Sequence, residues 1–236
     1  SFEREEDPEL AEQINRLNML KVQVAYPFLM ACMALVDEGK ASHEDLVNVV
    51  KLAESYVFRR AICGIPTNAL NKSFMRFIRD IENNDLLDSF GFDANTPLAL
   101  RFEAILVHRK GAQRFPSNEE FIRELIAKDI VNFNNQRYFF EQLDGRPRPP
   151  GYRIAPIIPA DEILSPGWQE TLGPDQWQEK QEHYLNRLSN MAMVHYDREH
   201  DNADFYAKSM MPGGWRDTPS FINEELATMN VWTKAQ

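Results

Sequence analysis

Residues 145–151 read GRPRPPG. Three prolines and two glycines in seven residues forbid a helix, because proline lacks the N–H and clashes with the preceding turn, and glycine gives up the most backbone freedom on ordering. The stretch separates two differently patterned parts of the 236-residue chain, so the boundary is expected here, with one domain over 1–145 and a second over 146–236.

The N-terminal part reads as a series of helices. Leu17, Leu20, Val24, Phe28, Ala31 and Leu35 recur at three- and four-residue spacing up to Gly39, and Pro27 should kink or restart that helix. Ser42 and Asp45 spell a capping box ahead of Leu46, Val49, Val50, Ala53, Tyr56 and Val57, with Gly64 just past the end. Thr67 is expected to cap a third helix, Thr96 a fourth, and Ser117 with Glu120 a fifth carrying Phe121, Leu125 and Ile126. A sixth is expected over NFNNQRYFFEQLD, with Phe133, Phe140 and Leu143 inward.

Beyond the prolines the pattern changes. YRIAPII and MAMV read as short strands, QEKQEHYLNRLSN as a helix leading into a turn, NADFYAKSMM as a helix capped by Asn202, and FINEELATMNVWTKAQ as a last helix. The expected fold class is mainly α: a helical bundle-like domain followed by a small α+β domain.

A net charge of −10 opposes non-specific attraction to phosphate, so any nucleic-acid contact must be local. Cys32 and Cys63 lie far apart in apolar helical patterns, which suits reduced thiols and a cytoplasmic location. The longest apolar run, from Val24 to Val36, is too short to span a bilayer, so no membrane association is expected. The abrupt start at Ser1 suggests a fragment of a longer chain. No glycine-rich phosphate loop occurs, so this fragment is not expected to bind a nucleotide.

The densest polar constellation surrounds the second strand: Asn190 before it, His195 and Asp197 after it, then His200, Asp201, Asn202 and Asp204. Such oxygen and imidazole donors could hold a hard cation that clamps a phosphate and activates water. Alternatively, Asn190 and Asn202 are turn and cap residues within a solvated loop. His43 and His108 read as surface residues. Arg59 and Arg60 could bind phosphate or simply complement a helix dipole.

ESYVFRRAICGIPTNALNKSF, RFPSNEEFIREL and RYFFEQLD resemble the helical region of GmrSD-type modification-dependent restriction proteins, of which the SspE-like phosphorothioation-sensing antiphage proteins are relatives. YRIAPIIPA, YLNRLSNMAM and YDREHDNADFYAK resemble, in order, that family's C-terminal HNH-like nuclease motifs. The resemblance implies a ββα-metal fold, an upstream nucleotide-hydrolysing domain, modified or phage DNA as partner, and Mg²⁺ or Mn²⁺ if the unit is active; it leaves oligomerisation open.

Matched position by position, Asn190 falls on the motif asparagine, with Ser189 in place of glycine. Asn202, Phe205 and Lys208 fall on the last motif, and Asp197 stands where an asparagine is usual; Asp197 and Asn202 become candidate metal ligands and Lys208 a candidate phosphate contact, with Arg187 as a further candidate DNA contact. Pro159 keeps the first motif's proline, but Ala155, Pro156 and Ala160 replace its glutamate, histidine and glutamine. The replaced histidine is the implied general base, whose loss costs about 10² to 10⁴ in rate. His183, His195 and Asp161 are the available substitutes. Two functions are therefore implied: metal-assisted DNA nicking or cleavage with a substitute base, or a pseudo-nuclease serving DNA binding or regulation.

Overall fold

The structure is a computed structural model that describes residues 7–93 and 95–232. It is mainly helical, with one two-stranded antiparallel sheet. Among the described residues no helix is long and apolar enough to cross a membrane. Both cysteines are free, and burial pushes the Cys32 thiol up to about 12.

Two compact units divide between Glu124 and Leu125. In the first, the apolar repeat starting at Leu17 is carried by two helices. α1 (Pro8–Met19) ends before Lys21, which adopts a left-handed φ of 57°, and α2 (Tyr26–Asp37) restarts with Pro27 in its first turn. α3 (His43–Ile62) begins at the expected capping box, where Asp45 N donates to Ser42 Oγ at 3.0 Å and Ser42 N to Asp45 Oδ2 at 3.1 Å. α3 packs on α1 and α6 (Leu98–Val107), and α2 packs on α4 (Leu70–Asp80).

Phe28 centres this core. It is fully buried, with the rings of Phe74, Phe77 and Phe102 at centroid distances of 5.9, 5.9 and 4.7 Å.

Several expected caps are replaced. Thr67 opens a 3-10 turn, Thr67–Ala69, and makes no side-chain cap. Thr96 bonds back to Asp93, leaving Pro97 to set the start of α6. A short α5 (Asn84–Ser89), capped by Asn83, adds a helix beyond those the apolar spacing predicts. α7 (Asn118–Ala127) starts at Ser117 as expected, but Phe121 and Leu125 are only half-buried and Ile126 is exposed.

The second unit contains α8 (Gln136–Asp144), although that helix precedes the proline-rich stretch expected to mark the boundary. The reason is a set of contacts beyond those prolines: Asp144 Oδ1 accepts from Ser220 Oγ at 2.7 Å and from Phe221 N at 2.9 Å. GRPRPPG is thus a loop inside this unit, which Arg146 fastens to Pro219 O.

β1 (Arg153–Pro156) pairs with β2 (Met191–Val194) in the register Arg153 with Val194 through Pro156 with Met191. Between them lie α9 (Pro166–Leu172) and α10 (Trp177–Tyr184); after them comes α11 (Phe205–Met210). Ala155, Ile157, Ile158, Trp168, Phe205 and Trp215 share one buried cluster. The expected terminal helix resolves into 3-10 turns at Phe221–Asn223 and Leu226–Thr228, and residues 233–236 lie outside the described residues.

Phe28→Ala should lower unfolding free energy by roughly 3–5 kcal/mol through lost burial and a residual cavity, read as a lower denaturation midpoint in urea.

Candidate functional site

The turn after β1 is held by two wholly buried polar side chains, Asn190 and Lys208. Asn190 Oδ1 accepts from Ile158 N at 2.7 Å, while its Nδ2 donates to Ile158 O and Leu185 O, both at 3.2 Å. Its backbone carbonyl also accepts from Ile157 N at 2.7 Å. Both amide hydrogens are thus used, and the residue is a bracket rather than a group presented to substrate.

Lys208 reaches the same turn from α11. Nζ donates to Ile157 O at 2.6 Å, Asp201 O at 2.8 Å and Pro156 O at 3.2 Å, so three ammonium hydrogens meet three carbonyls. The indole of Trp168 lies 5.5 Å away. Burial pulls the ammonium down to about 7, with Asp201 opposing that pull. A lysine so enclosed does not meet a phosphate, which is a correction to its expected role.

Asp201 is committed twice. Its carbonyl serves Lys208, and its carboxylate takes the Arg153 guanidinium, Oδ1 from Nη2 at 2.6 Å and Oδ2 from Nη1 at 3.2 Å. Arg153 Nε donates to Tyr196 O, and its guanidinium lies 5.1 Å from the Tyr196 ring. Burial, followed by Asp201, raises the Tyr196 hydroxyl's pKa.

Asn202 does not cap α11. Asp204 holds the N-cap position, and Asn202 Oδ1 accepts from Ser165 N at 3.4 Å. Ser165 Oγ in turn donates to Asp204 Oδ1 at 2.7 Å. Asp197 is exposed. His195 is also exposed and stacks on Tyr152, with centroids 4.7 Å apart and planes within 6°. Gly151 makes that stack fit, since a Cβ there would come within 2.7 Å of His195 Nε2.

His183 belongs to another place. It lines a cavity of about 570 Å³ with Glu179, Lys180, Tyr184 and Trp232, and His195 is not in that lining. Arg187 is half-buried before the 3-10 turn Leu188–Asn190. Asp161 is exposed and gives its carbonyl to Gln181, as does Pro159.

A divalent cation prefers six or more oxygens. Here Asn190, Asn202 and Asp201 spend theirs on N–H donors, and Lys208 already fills the carbonyl cluster with positive charge. Among the described residues no group of three or more His, Cys, Asp or Glu is placed to hold a metal. The donor set does not fit Mg²⁺ or Mn²⁺, and Asp197 is the one proposed oxygen ligand left uncommitted.

Ala155 is buried in the shared core, and Pro156 is paired in β1 with its carbonyl turned to Lys208. Asn223 carries no local signal of its role: its Oδ1 accepts from Met193 N at 3.0 Å while Nδ2 donates to Met193 O at 2.7 Å and Thr218 O at 2.9 Å. Its position inside an expected helix concealed that role.

Comparison with models of known families, with curated proteins and with solved structures finds no match to this chain.

Lys208→Met should cost roughly 3 kcal/mol, because three buried carbonyls lose their donor while the volume is kept. The folded-state value lies below an ordinary lysine's, so the unfolded chain holds this proton more tightly. The resulting penalty on the folded state is complete below about pH 7 and is relieved as pH rises toward the ordinary lysine range. Denaturation curves at pH 6, 8 and 9.5 should therefore show wild-type stability increasing relative to Lys208→Met.

Proposed function

We propose that this chain is the C-terminal part of a GmrSD-like antiphage restriction protein whose HNH-like unit no longer cuts DNA, and that it serves as a DNA-binding and regulatory module for a nucleotide-hydrolysing domain. The ordered resemblance of the motifs supports the family reading. The strand–strand–helix order of β1, β2 and α11 around one core is compatible with a ββα unit.

The observation that carries the non-cutting reading is the end of β1 itself, where Ala155 is buried in the core and Pro156 is paired with Met191, so that neither position offers a base. At the end of β1, where the family's base would face a metal, the chain has Ala155 and Pro156, and the carbonyls there accept from Lys208 Nζ. General-base catalysis needs a group within hydrogen-bond reach of the attacking water. Asn190 and Lys208 spend their hydrogen-bonding capacity inside the protein, and His195 is stacked on Tyr152 while His183 lies against Tyr184.

Supercoiled plasmid incubated with the full chain and Mg²⁺ or Mn²⁺ should remain supercoiled. Nicking that disappears in His195→Ala or Asp197→Ala would overturn the reading, because it would identify a substitute base or ligand. Asn190→Ala should instead lower thermal stability, as expected of a bracket, by roughly 2 kcal/mol for the unpaired turn amide and carbonyls.

A further inference from the structure

In an acidic protein, two windows of the first unit carry only positive charge. Between Glu54 and Asp80 stand Arg59, Arg60, Lys72, Arg76 and Arg79 with no Asp or Glu; between Glu103 and Glu119 stand Arg109, Lys110 and Arg114, again with none. The fold joins them. Arg59 Nη1 donates to Pro116 O at 3.3 Å, Arg60 Nη1 to Ala112 O at 2.7 Å and Arg76 Nη1 to Gln113 Oε1 at 3.3 Å, while the Tyr56 hydroxyl donates to Gln113 O at 3.0 Å.

Little of this charge is compensated. Arg109 pairs with Asp80, and Arg114 with Glu120 at 2.6 Å. Among the described residues Arg59, Arg60, Lys72, Arg76, Arg79 and Lys110 form no ion pair. Arg60 is 1% exposed, and its two bonded nitrogens reach carbonyls only, Ala112 O and Pro66 O. Like charges crowd there as well. Burial first, and also the charge of Arg114, weakens the hold of Arg60 on its proton; burial and then Arg76 do the same to Arg109.

α4 presents this charge outward in an ordered row. Leu70, Ser73, Phe74 and Phe77 are buried, whereas Lys72, Arg76 and Arg79 are exposed at i, i+4 and i+7 on the opposite face. At 1.5 Å per residue the row spans about 10 Å, which is about three of the roughly 3.4 Å intervals between phosphates along one DNA strand. The aromatic residues of α4 face the core. The row therefore offers no ring on which an unpaired base could stack, as single-strand binders do, and this favours a duplex.

We propose that the outer face of α4, with the adjoining loop 108–114, is a surface that grips the phosphate backbone of duplex DNA without reading sequence. It lies in the first unit, so it stands whether or not the second unit is an inactive nuclease. The residues that carry it are Lys72, Arg76, Arg79 and Lys110.

The test is fluorescence anisotropy of a labelled 25-base-pair duplex titrated with the full chain across a salt series. The triple substitution Lys72→Gln, Arg76→Gln and Arg79→Gln should weaken binding by about tenfold or more at low salt and reduce the log–log salt slope by about 3. Circular dichroism and the melting temperature should match wild type, since all three positions are exposed. The proposal falls if wild type binds no duplex, if the triple variant keeps the wild-type affinity and slope, or if Arg187→Gln with Arg198→Gln in the second unit causes the loss instead. It also falls if the chain binds phosphatidylserine vesicles in preference to the duplex and the triple variant loses that binding.

Discussion

The second unit depends on a single ammonium group placed in the interior. Lys208 spends its charge on Pro156 O, Ile157 O and Asp201 O, thereby joining α11, the end of β1 and the loop before α11 at one atom. Burying a lone lysine is costly, and that cost is offset only when every hydrogen finds an acceptor. Neighbouring features follow from it: Asp201 is drawn in to balance the charge, Arg153 is drawn to Asp201, and Tyr196 lies beneath Arg153.

This enclosure also sets what the neighbouring strand must supply. A metal ion and a lysine ammonium answer the same need, which is positive charge among converging oxygens. Because Lys208 answers it from within the chain through the backbone carbonyls, the side chains of Ala155 and Pro156 need only suit the strand. Ala155 accordingly packs in the core, and Pro156 closes a strand whose carbonyl matters more than its missing N–H.

Features set by local chemistry were legible in the sequence. The Ser42–Asp45 capping box, the restart at Pro27, the Ser117 cap and the strands around Ala155 and Met193 all follow from neighbours within a few residues. What escaped was set by distant contacts. Asn190 and Asn202 have the residue types of metal ligands, but their oxygens are used by Ile158 N and Ser165 N, 32 and 37 residues away in sequence. Lys208 reads as a phosphate contact because nothing local shows that Pro156 and Ile157 will turn their carbonyls toward it. The tie from Asp144 to Ser220, which holds α8 in the second unit ahead of the prolines, spans 76 residues and has no local sign either.

Asn223 has a consequence of another kind. By giving and receiving a hydrogen bond at Met193, its amide occupies the side of β2 that faces away from β1, as a further strand would. Two-stranded sheets with a bare margin invite pairing with another chain, and here a single side chain closes that margin. A chain ending before Asn223 would lose the closure, and self-association through β2 would become its characteristic failure.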